Sequence, residues 1–214
     1  MHLLNKEAKP ARDTLASIFA AAAHEFSERG YDAAGVDRIA AAAGVNKAML
    51  YYHFGSKRGL YLAILRDMFG TVGQRAREIA DGPGDPFQKL DAWVARIIEE
   101  AAARPWFPPI MLREVASGAP HLDPETFGLM SAIFGAVRDL LAEGQQEGVF
   151  DDVDPLMTHL TIMPPILLFL ARQRVLATHL AVDRQAMDGL GEARDLADFV
   201  RHMQRAARRI VAKS

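Results

Sequence analysis

The sequence contains no cysteine among its 214 residues, which excludes disulfides, thiolate metal sites and cysteine nucleophiles. Serines number only six, and none lies in a recognisable nucleophile context. The chain also lacks a glycine-rich phosphate loop, a G-x-S-x-G motif and an H-E-x-x-H motif. These absences argue against an enzyme, and we predict no catalytic residue, no metal and no cofactor.

Long hydrophobic runs are absent too. The longest, LTIMPPILLFLA at residues 160–171, has twelve residues and a double proline, too few for a bilayer-spanning helix. Residues 1–12 are polar and contain Pro10, so they do not read as a signal peptide. We therefore expect a cytoplasmic protein without a membrane partner, in which residues 1–12 form a flexible arm.

Composition favours an all-α fold, because half of the residues are hydrophobic and alanine-rich helical stretches dominate over β-branched alternation. The net charge is −2. Residues 1–60 carry eight Lys/Arg against six Asp/Glu, or +2, and the remainder carries 17 against 21, or −4. This asymmetry suits a small DNA-contacting head on an acidic body, although an ordinary solvated surface would give a similar count.

Apolar periodicity and Gly/Pro breaks predict nine helical segments. Helix 4 has no linker composition before residue 81 and should join an N-terminal domain, 1–60, to a larger domain, 61–214. A bend is expected in helix 8 at Pro164 and Pro165. The predicted segments are about 13–29, 36–43, 47–53, 57–80, 86–104, 108–116, 124–147, 155–178 and 192–212.

The second and third segments form a helix-turn-helix pattern. Gly44 lies where the first helix must stop and the backbone reverse, which a glycine does at little cost. Asn46 is a good N-cap for the next helix, able to accept from the amide of residue 48 or 49. Leu50 faces inward, which leaves the other face of this helix free to enter the DNA major groove.

The residues on that free face suit DNA contact. Lys47 can donate to guanine or phosphate, and the hydroxyls of Tyr51 and Tyr52 can donate to phosphate. Lys57 follows Ser56, a predicted cap, in the first turn of the next helix, where a cation is unfavourable unless a phosphate lies nearby. The predicted DNA-binding residues are Lys47, Ala48, Met49, Tyr51, Tyr52, His53 and Lys57.

Residues 13–65 resemble the N-terminal domain of the tetracycline-repressor (TetR-like) family of transcriptional regulators. The matching segments are ASIFAAAAHEFSERGYDAAGVDRIAAAAGV, NKAMLYYHF and GSKRGLYLAIL. Gly35 departs from the Ser or Thr usual in the family, so no side-chain phosphate contact is carried over to it. The resemblance implies a three-helix DNA-binding domain and a helical body that holds a ligand pocket and pairs through helices 8 and 9.

Large and flexible apolar side chains in the body form a candidate effector pocket. Met-rich walls adapt to varied apolar ligands, although aromatic and Met stripes at helical spacing are also what an ordinary core contains. Few polar groups are available, so we expect an apolar or amphipathic effector. The candidates are Trp93, Phe107, Met111, Phe127, Met130, Phe134, Met157, Thr161, Met163 and Phe169.

Helices 8 and 9 are candidates for a homodimer interface. Helix 8 is apolar on more than one face and so needs partners on two sides. Helix 9 has one apolar face, which an amphipathic helix packed on its own subunit would also show. The predicted interface residues are Leu167, Leu170, Leu196, Phe199, Val200, Met203, Ala207 and Ile210.

Some polar residues of the body admit several interpretations. His121, Asp123 and His159 could be metal ligands, but their spacing is weak and solvated side chains are the commoner outcome. Arg113 and Glu114 stand in an apolar helix, where a mutual or intersubunit ion pair is favoured over ligand contact.

Two functional classes remain. The favoured one is a dimeric, ligand-responsive DNA-binding regulator, a repressor released from a near-palindromic operator by a small effector. The alternative is a small-molecule-binding or interaction protein that keeps the scaffold without regulating transcription. The intact set from Lys47 to Lys57 argues against this alternative.

Overall fold

The computed structural model describes the backbone of residues 11–179 and 195–213, and the side chains of residues 14–172 and 195–213. Within these ranges the chain forms nine α-helices and no β-strand. The predicted all-α fold is confirmed. Most of the predicted arm, residues 1–10, and the glycines before the last helix lie outside the described residues. The helices are α1 (Ala11–Ala33), α2 (Val36–Ala43), α3 (Lys47–Phe54), α4 (Lys57–Ala80), α5 (Pro86–Ala102), α6 (Phe107–Ala116), α7 (Pro124–Gln146), α8 (Pro155–His179) and α9 (Leu196–Val211).

The regular part of α1 ends at Gly30, as the sequence predicts. Gly30 has φ 74° and ψ 171°, a backbone conformation outside the helical region that glycine adopts most easily. A short turn continues to Ala33, closed by a hydrogen bond from the Ala34 amide to the Gly30 carbonyl at 3.2 Å. This break redirects the chain into α2.

Helices α1, α2 and α3 form a small head around one apolar core. Ile18, Ala22 and Phe26 of α1 are buried together with Ile39 of α2 and Leu50 of α3. Each comes from the apolar stripe of its helix. Two polar residues of α1, Thr14 and Ser27, are buried as well.

Helix α4 connects this head to the body formed by α5 to α9. It has 24 residues, which corresponds to about 36 Å at the rise of an α-helix. Leu60 and Ile64 near its start are buried on the head side, and Phe69 and Val72 are buried among the body helices. The predicted connecting helix is confirmed, and the domain boundary expected at residue 60 falls inside it.

Ion pairs fix α4 and α5 to α7. The Arg66 guanidinium of α4 pairs with Asp123, the N-cap of α7. Lys89 of α5 is only 8% exposed, and its ammonium donates to both carboxylate oxygens of Glu143 at 2.6 and 2.9 Å and to the Ala80 carbonyl at 3.2 Å. A buried ammonium needs such partners, so these contacts hold α5 against α7 and against the end of α4.

Helix α8 continues without interruption through Pro164 and Pro165. Ile162 and Ile166 are fully buried against the body. The predicted second apolar face lies exposed on this single chain, and it carries Leu156, Met157, Leu160 and Leu168.

By length and composition, α8 is also long and apolar enough to cross a membrane. The window Pro155–Arg172 has 18 residues, a mean hydropathy of 1.2 and 17% of its residues buried. The unbroken apolar run in this segment is shorter than the helix, so run length alone does not reveal this property. An exposed apolar helix of this kind needs a covering surface.

Helix α9 packs on α5 of its own subunit, which corrects part of the predicted dimer interface. Met203 and Ala207 are 5% and 0% exposed in the single chain, so they cannot face a partner. Arg208 holds the helix in place through two hydrogen bonds of 2.6 and 3.0 Å to Asp91 Oδ2. Periodicity identified the buried stripe correctly but could not say which molecule covers it. Leu196, Phe199, Val200 and Ile210 are partly buried.

We expect Met203→Ala to lower the free energy of unfolding by about 2–5 kcal/mol, since it leaves a cavity in a packed core. Urea unfolding measures this difference, with the exposed neighbour His202→Ala as the matched control. If the unfolding free energy is unchanged and sedimentation shows that dimers are lost, Met203 lies in a subunit interface instead of the core.

Candidate DNA-reading surface and body cavity

The turn between α2 and α3 has the geometry that the sequence predicts. Gly44 adopts φ 69° and ψ 31°, the left-handed region, and its amide donates to the carbonyls of Ala40 and Ala41. Asn46 Oδ1 accepts from the Met49 amide at 2.8 Å and so caps α3. These two local devices set the angle between the paired helices.

The outward face of α3 is available for contact. Leu50 is fully buried and anchors the helix, while Tyr52 is 82% exposed and Met49 and Tyr51 are each 40% exposed. Among the other predicted DNA contacts, Lys47 and Ala48 are exposed and His53 is half-buried. The centre of the His53 ring lies 5.1 Å from that of Tyr52, with the two rings nearly perpendicular.

The charge of Lys47 is paired within the head. Its ammonium lies 3.0 Å from Asp37 Oδ1 at the start of α2. The hydrogen bond to Asp37, followed by the charge of the same carboxylate, raises the pKa of Lys47. A phosphate that bound Lys47 would therefore have to displace Asp37 or share the ammonium with it.

Lys57 also contacts its own subunit. Ser56 caps α4 by accepting from the Gly59 amide at 2.9 Å, as predicted. The Lys57 ammonium then donates to the Asp32 carbonyl at 3.1 Å and lies 4.7 Å from the centre of the Tyr31 ring. The neighbouring Arg58 is exposed. Both cations lie near the start of α4, where a bound phosphate would pair with their charges.

Gly35 caps α2 without a side chain, and a carboxylate from α1 takes over part of that task. The Gly35 amide donates to Glu25 Oε1 at 3.0 Å, and Arg38 Nε donates to the same oxygen at 2.6 Å. Burial raises the pKa of Glu25, but these hydrogen bonds outweigh it and lower the pKa overall. This role of Glu25 could not be predicted from the sequence, because only the fold brings Glu25 to the loop.

The body contains an apolar cavity of about 300 Å³ between α4, α5, α6, α7 and α8. Among the described residues that line it, His159 has the one polar side chain. Of the predicted pocket residues, four line this cavity: Phe107, Met111, Met130 and Met163.

The other six predicted pocket residues lie elsewhere. Trp93 is fully buried in the core, and Phe134 packs its ring edge against His159 at 5.5 Å. Phe169 stacks on Phe199 at 3.6 Å. The remaining three are exposed: Phe127, Met157 and Thr161.

Helix α4 contributes a wall of the cavity that the sequence analysis missed. Met68, Phe69 and Val72 line it, although α4 was predicted only as a connecting helix. Their spacing at one helical face was the signal. Leu167, predicted for the dimer interface, also lines the cavity, whereas its neighbour Leu168 is 59% exposed.

A polar junction joins α6 to the head. Glu114 is 3% exposed, and its Oε1 accepts from the Tyr61 hydroxyl at 2.6 Å and contacts His121 Nδ1 at 2.7 Å. Burial, and then the hydrogen bond to Glu114, raise the pKa of Tyr61, so it remains a protonated donor. Arg113 donates to the Ser27 carbonyl of α1 at 2.6 Å.

These contacts correct the expected mutual or intersubunit ion pair of Arg113 and Glu114. Consecutive helical residues point in different directions, and here one reaches α1 and the other reaches α4. His121 and Asp123, weighed as metal ligands, are engaged with Glu114 and with Arg66. In the described part of the chain, no group of three or more His, Cys, Asp or Glu side chains is arranged to hold a metal ion.

Comparison with known families agrees with this architecture. The family described as "Bacterial regulatory proteins, tetR family" matches residues 18–64. The one described as "Tetracyclin repressor-like, C-terminal domain" matches residues 86–200, more than half of the chain. The chain belongs to the TetR family. It is a ligand-responsive DNA-binding transcriptional regulator.

Two relatives and one solved structure give the scale of the similarity. This TetR family member is 30% identical to the HTH-type transcriptional repressor SCO4008 of Streptomyces coelicolor, over 94% of this chain and 98% of that protein. It is 29% identical to the transcriptional repressor NicS of Pseudomonas putida, over 82% and 84%. A TetR family regulator from Marinobacter aquaeolei VT8 shares the fold with a TM-score of 0.72 at 19% identity, covering 95% and 97%.

We expect Asp37→Asn to strengthen DNA binding severalfold, because it releases Lys47 and removes the negative charge beside that ammonium. The slope of log K against log salt should steepen by about one, as for one more neutralised phosphate. Fluorescence anisotropy over a salt series measures both quantities, and Asp67→Asn on α4 is the control of equal charge change.

Lys47→Ala separates the two causes. If Asp37 acts by holding Lys47, then Asp37→Asn gives no further gain in a Lys47→Ala background. A gain of the same size in that background would show that Asp37 does not act by holding Lys47 and that its negative charge alone weakens DNA binding.

Proposed function

We propose that this protein is a homodimeric repressor in the cytoplasm, released from a near-palindromic operator by a small apolar or amphipathic effector. Residues 1–60 act as the DNA-binding domain, and residues 61–214 bind the effector and form the dimer. The observation that carries the proposal is helix α6, which lines the body cavity with one face and contacts the head with another.

The dimer is supported by the exposed apolar face of α8. In the single chain Leu168 is 59% exposed and Leu160 is 51% exposed, so large apolar side chains of this helix are in contact with water. A second α8 with part of α9 would cover this face, with Leu170, Phe199 and Val200 at its margin. Such cover explains the helix without a membrane, since apolar area removed from water stabilises association.

The coupling passes through α6. Met111 and Val115 line the cavity, while Glu114 between them binds Tyr61 of α4. A ligand that fills the cavity pushes on the first face, and the junction carries the displacement to α4 and so to the head. Because binding linkage is reciprocal, effector and operator weaken each other by the same factor.

The DNA-binding claim is tested with fragments from upstream of the gene itself and of its neighbours. We expect a shift with a two-fold symmetric site, in which scrambling one half removes most of the affinity and added salt weakens the complex steeply. Tyr52→Ala, a change on the exposed reading face, should weaken binding. If no fragment shifts even at low salt, the protein is a small-molecule-binding module that has kept the scaffold.

The relay is tested with Glu114→Gln, which keeps the shape of the side chain and removes its charge. We expect operator affinity without effector to stay within about threefold, while the loss of affinity caused by a releasing compound shrinks by about tenfold, or 1.4 kcal/mol of coupling. Operator binding is titrated with and without a compound that releases the wild type. Glu100→Gln, which breaks the pair with Arg104 on α5, is the matched control. Equal coupling in both variants would exclude the junction from the relay.

A further inference from the structure

The body cavity has one hydrogen-bonding side chain in its wall, and its surroundings are aromatic. His159 of α8 lines the cavity. The centre of its ring lies 5.5 Å from that of Phe134 and 6.4 Å from that of Trp93. A lone imidazole in an apolar wall is a fixed point at which a ligand can be oriented.

Two buried polar atoms, one on His159 in the cavity wall and one on Trp93 behind that wall, lack partners within the described structure. His159 Nδ1 and Trp93 Nε1 are buried and neither has a hydrogen-bond partner there. Buried polar groups without partners are costly and uncommon in folded proteins. A ligand group that pairs with His159 Nδ1 gains affinity that an apolar ligand of the same shape does not gain.

The part of the wall that the described residues form offers no charge to a ligand. No Lys, Arg, Asp or Glu side chain is among the lining residues. Burial lowers the pKa of His159, so its imidazole is neutral at pH 7. Moving a carboxylate or an ammonium into such a site without an opposite charge is strongly unfavourable.

The tautomer of His159 is also left open. The protonation of one imidazole nitrogen is normally set by the partner of the other, and Nδ1 has no partner. Nδ1 can therefore offer either a donor or an acceptor. A hydroxyl both donates and accepts, so it matches either tautomer.

We propose that the cavity selects a neutral apolar molecule that carries a hydroxyl group, an alcohol or a phenol, and that His159 is the residue that binds this hydroxyl. The assignment rests on the proposed function, since it names the effector class of the same cavity. His159 is then a specificity-determining residue, while the remaining walls contribute apolar contact and shape.

The test compares three probes that share the naphthalene ring system: 2-naphthol, naphthalene and 2-naphthoate. Their affinities for the full-length protein are measured by isothermal titration or equilibrium dialysis at pH 7. We expect 2-naphthol to bind about tenfold more tightly than naphthalene, which corresponds to one hydrogen bond to an otherwise unpaired group. The charged 2-naphthoate should bind more weakly than either.

Variants then assign the preference to the residue. His159→Phe keeps a flat ring without nitrogens and should abolish the preference for 2-naphthol, with naphthalene affinity retained. His159→Gln keeps a neutral donor and acceptor and should retain part of the preference. Thr161→Val, which removes an exposed hydroxyl from the same helix, should change nothing. Circular dichroism checks folding, and the Gln variant preserves the test if the Phe variant does not fold.

Several results would overturn the assignment. They are equal binding of 2-naphthol and naphthalene to the wild type, tighter binding of 2-naphthoate, or an unchanged preference in His159→Phe. Failure of all three probes to bind also overturns it. If another compound still releases the operator and Met163→Trp blocks that release, the proposed function stands and only the role of His159 falls.

Discussion

One uninterrupted helix, α4, runs through the hydrophobic core from the head into the body. Its first turns place Leu60 and Ile64 in the head, and its later turns place Phe69 and Val72 in the body. A helix is stiff over this length, so in the proposed mechanism a displacement at its body end would be carried to the head instead of being absorbed by a linker. The head, the cavity wall and the proposed coupling between them all depend on this shared helix.

Helix α6 complements that constraint by dividing its surface between two tasks. Its apolar residues face the cavity, whereas Arg113 and Glu114 contact α1 and α4. The junction is polar and buried, which makes it sensitive to geometry, because hydrogen bonds in a low-dielectric setting are strong when aligned and costly when broken. In the proposed relay, a small movement of α6 would therefore be passed on to the head.

The body also shows how one helix can serve two surfaces. Ile162, Ile166 and Leu167 of α8 face inward, to the core and the cavity, while Leu160 also reaches the cavity rim and Leu168 faces outward. Cavity and proposed subunit contact thus share a helix, so a ligand that shifts α8 would also affect the relative placement of two heads. Apolar side chains on every face account for the high mean hydropathy of this segment.

The sequence by itself determined the head. Gly44, Asn46 and Ser56 act within a few residues of their partners, and Leu50 marks the buried face of α3, so local rules sufficed. Only the tertiary structure decided where the body's stripes face. Met203 packs on its own subunit, Trp93 lies in the core, and α4 supplies a cavity wall. Helical periodicity shows which face of a helix is buried, but the element that covers it is set by contacts between distant parts of the chain.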